Sequence, residues 1–497
     1  MSRLDRYYRR GYEWFDERLD LDSERSTLGK AFPAEDSFLL GEVALFSFVV
    51  LVLTGIFLGF FYQPNTAMVE YQGSIAQFHG EEVPQAFASV LAITYDISYG
   101  MFIRRIHHWA AHLFIASAAL HMMRVFFQGA YRNPREPNWV IGVLLVVLGM
   151  AAGFTGYVLP YDNFAAEAAS IGYVVASSTP IVGDSIAWIF FGGDYPTALS
   201  IPRMYFLHVL VIPLLIGILL AAHMVILYRQ KHTEGERDED FTGEPVTPAD
   251  APTASPVDEG GSELGLSNEP TSTDGGQPET AAAAGGDRTV DRDDDGVVVG
   301  LPLFPQQAAL SAIVFFLTLG TLSLLSGFFS VHNIVEYGPY DPTSTPELVL
   351  PDWYLMWMFG ILKLLPDWVG VGPLTVEFVG GVLVTGLVIL LVLVWPFIDR
   401  YEEPGHFVVD PLERDWQTAT GVAGIVFLSM LSLGGMNTVV SDLTGIATSS
   451  LNPILLSLAI ILPIVAWLIV YATLGGFADD SGDGPEPSGP SGGDEDA

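Results

Sequence analysis

Eight blocks of roughly 20 nearly uncharged apolar residues run through this chain, each long enough to cross the hydrocarbon core of a bilayer. They lie near 38–62, 104–125, 139–160, 203–228, 305–330, 375–397, 419–439 and 452–474. The core of a large soluble protein accounts for one or two such runs, but not for eight. Backbone N–H and C=O groups inside hydrocarbon must find their partners within the segment, so spans of this length are helical. The expected fold class is therefore all-α: a polytopic membrane protein of about eight transmembrane helices.

Lysine and arginine near the span ends set the orientation. The N-terminal segment carries Arg3, Arg6, Arg9, Arg10, Arg18, Arg25 and Lys30. The connection between spans two and three carries Arg132 and Arg135, and span four exits at Arg229 and Lys231. If the spans alternate, all of these fall on one side, which should be cytoplasmic. Eight spans return the C-terminus to that side. Arg104, Arg105, Arg203 and Lys363 lie toward the outer side, so the bias is impure. Arg229 reads as a positive-inside anchor. The expected location is the cell membrane, multi-pass, with both termini cytoplasmic.

Charge divides the chain further. The formal net charge is -36, yet the apolar blocks contribute almost none of it. Residues 233–299 hold 18 acids and three arginines in a Pro, Gly, Ser, Thr and Ala background. Such a segment cannot bury enough apolar surface to offset the entropy of ordering, and is expected to be a disordered cytoplasmic linker. The expected organisation is a cytoplasmic segment over 1–37, a four-helix bundle over 38–232, the linker over 233–299, a four-span C-terminal region over 300–477 and an acidic disordered tail over 478–497. The acid excess disfavours nucleic acid as a partner and resembles proteins kept soluble in concentrated salt. No cysteine is present, which excludes disulfides, Cys-ligated iron–sulfur clusters and thioether-bound haem in this chain. The first 30 residues are charged, so no cleavable signal is apparent.

Span two contains "FIRRIHHWAAHLFIASAALHMMR", and a greasy helix by itself offers nothing to an imidazole nitrogen. His107 and His121 are 14 residues apart, which at about 100° per residue leaves them within roughly 40° of one face and about 21 Å apart along the axis. Span four repeats the arrangement with His208 and His223, 15 apart, with about 60° of residual rotation over roughly 22 Å. Both spans run from outside to inside, so His107 faces His208 near the outer surface and His121 faces His223 nearer the cytoplasm. Each pair can supply both axial ligands of a haem iron. A single buried histidine is ordinarily a packing or hydrogen-bonding residue; four at two matched depths predict two bis-histidine haem b groups. The two levels are too far apart to share one zinc or di-iron centre. His108 and His112 sit at i,i+4 without a glutamate of an HExxH motif, and are read as facing another part of the bundle or its rim.

Gly41 and Gly55 in span one, and Gly142 and Gly156 in span three, repeat the interval of 14. Glycine lets a flat macrocycle approach a backbone, although small residues also serve ordinary packing between membrane helices. Arg104, one turn before His107, and Arg124, three residues after His121, suit the haem propionates at the outer and inner levels; snorkelling at the span ends is the simpler alternative.

These residues resemble cytochrome b of the quinol-oxidising bc-type complexes. The resemblance rests on the paired histidines, the paired glycines, "GYVLPYD" at 156–162 and "PDWY" at 351–354, and covers about 30–230 and 300–475. Joined with the acid excess, it points to a full-length cytochrome b subunit from a halophilic archaeon. The family resemblance implies that His107 and His208 hold the low-potential haem and His121 and His223 the high-potential one. It matches Leu39 to the position where the plastid-type protein attaches an additional haem through cysteine, so that haem is not expected. An outer quinol site is implied between "GYVLPYD" and "PDWY". Asp352 stands where the family usually has glutamate, and would accept the quinol proton with a reach one methylene shorter. Tyr157 and Tyr354 would orient or contact the quinol; an interfacial aromatic belt explains either alone. An inner quinone site is implied among spans one, four and five.

The implied activity is quinol oxidation and transmembrane electron transfer coupled to proton translocation, by a chain that is incomplete alone as an oxidoreductase. Implied partners are a Rieske iron–sulfur protein, a high-potential carrier (a c-type cytochrome or copper protein), membrane lipid and quinone, and a second copy in a homodimeric core. The same subunit could instead feed a dedicated terminal reductase such as an outward-facing nitrate reductase. A non-haem polytopic transporter and a purely structural anchor are readings of a different class; neither gives a reason for four matched histidines.

Overall fold

The computed structural model describes residues 38–230, 303–343, 350–400 and 410–476, together with short strands at 31–32, 235–236, 279–281, 288–293, 296–302 and 407–408. Eight long apolar helices lie within them: Leu40–Gly59, Gly100–Phe127, Glu136–Val158, Ser200–Gln230, Pro305–Phe328, Phe378–Ile398, Asp415–Gly435 and Thr448–Thr473. Each begins and ends within four residues of its expected bounds. The protein is an all-α, multi-pass membrane protein. Among the described residues its strands lie outside the spans, as in the antiparallel pair Met68–Glu70 and Glu82–Pro84 between spans one and two.

Most of the acidic segment 233–299, expected to be disordered, lies outside the described residues. Within it Arg288–Asp293 pairs antiparallel with Gly296–Pro302, which also pairs with Ala31–Phe32. Apart from that strand, the segment 1–37 lies outside the described residues, as does the tail 478–497.

The connections after spans one, three, five and seven gather at the end that the charge bias assigns to the outside, and "outer" and "inner" are used in that sense. Helical segments absent from the span prediction occur here: Gln85–Leu91, Asn163–Ser177, Gly183–Phe191, Met356–Leu364 and Asn437–Thr444. Asp162 caps the second of these, its Oδ1 accepting from Ala165 N–H at 2.8 Å. Tyr71, Phe78, Val83, Phe87 and Leu91 form a small core in the first outer connection, closed by Ile334 from beyond span five.

Between spans the hydrophobic effect does little, because lipid tails are as apolar as leucine; close packing and hydrogen bonds hold the helices together instead. Val50, Ile106, Ala110 and Leu322 join spans one, two and five. Gly360 lets Met356–Leu364 lie directly on span seven: a Cβ there would collide with the Leu431 carbonyl. At the inner end a buried clasp ties the two halves. Asp399 after span six accepts from Tyr131 O–H at 2.5 Å, Arg414 Nη2 at 2.7 Å and Gln417 Nε2 at 3.1 Å. Arg414 also donates to the carbonyls of Phe126 and Phe127 at the end of span two.

Candidate functional site

The four histidines meet in the two pairs expected of them. The rings of His107 and His208 have centroids 6.1 Å apart and cross at 72°; those of His121 and His223 are 6.5 Å apart at 78°. A metal ion bonded to one nitrogen of each of two facing imidazoles, at about 2 Å per bond and about 1.1 Å from nitrogen to ring centre, separates the centroids by roughly 6 Å. Both pairs therefore have the spacing of axial ligands on either side of an iron.

The four glycines face those rings. A Cβ added at Gly41 would lie 3.4 Å from His121 Cε1, and one at Gly55 would lie 3.4 Å from His107 Cε1. At Gly142 it would lie 3.8 Å from His223 Cε1, and at Gly156 only 2.6 Å from His208 Cε1. Span one thus opens space behind the histidines of span two, and span three does so for span four, at both levels. Histidine pairs at ligand spacing, flanked by backbone that carries no side chain, fit a flat bis-histidine macrocycle.

Second partners distinguish the levels. At the outer pair, His208 Nδ1 lies 3.0 Å from the Ala152 carbonyl, which can only accept, so Nδ1 carries the proton. Thr54 Oγ1 is 2.9 Å from His107 Nδ1 and spends its own proton on the Val50 carbonyl at 2.6 Å. It therefore accepts from His107. In both residues Nε2 is left with the lone pair that a metal requires. At the inner pair His121 Nδ1 is buried without a partner, and His223 Nδ1 faces the Asn138 backbone without a hydrogen bond of ordinary geometry.

The unequal histidine intervals have a structural cause that the sequence reading missed. Span four is not one continuous α-helix: Leu207–Val211, which includes His208, is a π turn between Ser200–Phe206 and Ile212–Gln230. A π turn absorbs one extra residue. Fifteen residues in span four then supply the rise and twist of 14, matching span two.

Arg104 lies at the outer level, donating from Nη2 to the His332 carbonyl at 3.4 Å; Arg124, at the inner level, stacks its guanidinium 4.6 Å over the Phe407 ring. His332 Nε2 meets Asp162 Oδ2 at 2.5 Å, pinning the connection after span five to the one after span three. The sequence reading singled out neither residue of this pair. At the inner end Gln307 Nε2 and Ser311 Oγ reach Glu42 Oε1 at 2.8 and 3.0 Å, joining spans five and one.

Between span three and the PDWY segment lies an apolar cavity of about 310 Å³, with Phe154, Tyr157, Pro351, Leu355 and Phe359 in its wall. Beside it Tyr354 O–H donates to Asp352 Oδ2 at 2.8 Å. Burial, then the adjacent Asp352 carboxylate, pushes the Tyr354 phenol well up, so it stays protonated and remains a donor. His108 and His112 face the PDWY segment. A ring nitrogen of each lies within 4.8 Å of an Asp352 carboxylate oxygen, and their rings stack at 5.0 Å. Their i,i+4 spacing was visible in the sequence; that the face points at Asp352 was not.

Residues 112–255 match the family described as Cytochrome b(N-terminal)/b6/petB, and residues 339–449 match Cytochrome b(C-terminal)/b6/petD. The cytochrome bc1 complex cytochrome b subunit of Streptomyces coelicolor is 35% identical over 434 residues, covering 86% of this chain and 70% of the relative. That of Corynebacterium efficiens is 32% identical over 453 residues, covering 90% and 74%. Among solved structures, a chain of a hyperthermophilic respiratory Complex III superposes with a TM-score of 0.60 at 19% identity, covering 93% of this chain and 99% of that one; at this identity the likeness is one of fold.

Proposed function

The chain belongs to the cytochrome b family as a subunit of a bc1-type respiratory complex, and we propose that within it the chain holds two haem b groups and oxidises quinol at its outer end. His107 and His208 would hold the outer group and His121 and His223 the inner one, with Gly41, Gly55, Gly142 and Gly156 leaving room for the macrocycles. Arg104 and Arg124 would neutralise propionates. Bound at these two heights, haem b supplies one-electron centres in the membrane. The observation that carries this reading is the facing of two histidine pairs at ligand distance, each backed by glycine.

At the outer end the apolar cavity would take the quinol ring, with Tyr157 in its wall. The Asp352 carboxylate would accept a hydroxyl proton and release it to outer water, while Tyr354 holds that carboxylate in place. The chain carries no cluster ligands of its own, so a Rieske iron–sulfur protein is the proposed partner, passing electrons to a c-type cytochrome or copper protein. A homodimeric core, the division at 38–232 and 300–477 and the cytoplasmic placing of both termini belong to the same reading. A halophilic source rests on the acid excess alone, since the relatives named above are bacterial.

The test is a redox-titrated reduced-minus-oxidised spectrum of the purified complex, with haem counted per chain. Two b-type components are expected. Replacing His107 or His208 with alanine should remove one of them, and replacing His121 or His223 the other. A preparation that oxidises quinol but contains a single b haem would refute the assignment.

A further inference from the structure

Near the PDWY segment, span two presents His112, which the function proposed above does not use. Trp353 Nε1–H donates to His112 Nδ1 at 3.3 Å. An indole N–H can only donate, so Nδ1 must accept and the His112 proton sits on Nε2. This is the opposite tautomer to that of His107 and His208. It leaves His112 with an N–H donor and no free lone pair, which argues against reading His108, His112 and Asp352 as a cation site. The stacked His108 ring fixes the plane of the imidazole.

Ring nitrogens and carboxylate lie within 4.8 Å of one another. No direct hydrogen bond joins His112 to Asp352, and an upper limit of 4.8 Å leaves room for one oxygen to bridge donor and acceptor through two contacts of about 2.8 Å. The groups around Asp352 are Tyr354 on its own segment, Tyr157 on span three, and His108 and His112 on span two.

We propose that His112 is a second catalytic residue of quinol oxidation, donating from Nε2–H to the same quinol oxygen whose proton Asp352 accepts. This inference rests on the reading of Asp352 given above. As the O–H bond breaks, its proton moves to the Asp352 carboxylate and negative charge grows on the quinol oxygen. The second hydroxyl proton leaves to outer water, and the two electrons would pass to the oxidants of that reaction, the cluster of the iron–sulfur partner and a haem held by His107 and His208, so that quinol becomes quinone. A fixed donor aimed at the oxygen where charge develops lowers the barrier to this step. It also compensates for an acid one methylene shorter than the family's glutamate, because the oxygen is then held from both sides.

The experiment measures haem reduction by saturating quinol in the purified complex, with haem content checked by spectrum. His112→Leu removes the donor, whereas His112→Gln keeps an N–H in a similar place. We expect His112→Leu to slow reduction about 100- to 1,000-fold with both haems retained, and His112→Gln to recover most of that loss. Groups acting on one oxygen in one step are not additive, so His112→Leu combined with Asp352→Asn should be no slower than Asp352→Asn alone. Full activity in His112→Leu, equal loss in the Gln and Leu variants, or losses that multiply in the double variant would each overturn the proposal. Full activity in Asp352→Asn overturns the Asp352 reading itself, and the inference with it. A slow Asp352→Asn beside a fully active His112→Leu overturns the inference alone.

Discussion

Thr54 in span one accepts a hydrogen bond from Nδ1 of His107 in span two, at 2.9 Å. This contact fixes the tautomer of His107 and increases the electron-donating power of its other nitrogen. His121, at the inner level of the same helix, has no such partner on Nδ1. Thr54→Val should therefore raise the midpoint potential of the outer haem, leave the inner one unchanged and cost about 10-fold in outer haem affinity. A redox titration that separates the two components checks this.

Filling a glycine notch should act on one level at a time. Gly156→Val puts a side chain against the His208 ring, where even a Cβ would lie 2.6 Å from Cε1. It should remove the outer haem and spare the inner one. Gly217→Val in span four, where a Cβ meets nothing within 4 Å, should leave both in place. Haem stoichiometry by pyridine haemochrome separates the outcomes.

The π turn makes a prediction about length. Deleting Val211 shortens the interval from His208 to His223 to 14, the number an uninterrupted α-helix needs to copy span two. Both haems should survive. Inserting one alanine after Val211 rotates His208 away from its partner by about 100° and should eliminate the outer component. Absorbance spectra of the two variants suffice.

The inner clasp should be costly to open. Arg414 and Asp399 have side chains only 4% and 5% exposed. Arg414→Ala leaves the Asp399 carboxylate buried without its cation, a change that costs about 3–5 kcal/mol. A lowered thermal midpoint in detergent, followed by haem absorbance, is expected. Gln417→Ala, which removes one neutral donor from the same carboxylate, should cost about 1–2 kcal/mol.

The spans were legible because hydrocarbon thickness sets one length scale that all eight helices obey. The histidine and glycine intervals were legible because they repeat that helix geometry along single helices. What the sequence concealed depends on contact between distant segments. His112 and Asp352 are 240 residues apart, and nothing in either neighbourhood predicts that they converge. The His332–Asp162 pair is equally non-local. The π turn left only a faint trace: "LHVLV" itself has no breaker residue, but Pro213 just beyond it lacks the N–H that would bond to the Val209 carbonyl, which favours an irregular turn there.

The knot of Tyr131, Asp399 and Arg414 has a consequence for how such a molecule can be encoded. Side chains from the first four spans and from the last four grip each other without help from the covalent chain between them. A nick in the acidic stretch should leave the two fragments bound to each other, and a message split there should yield two products that find one another in the bilayer.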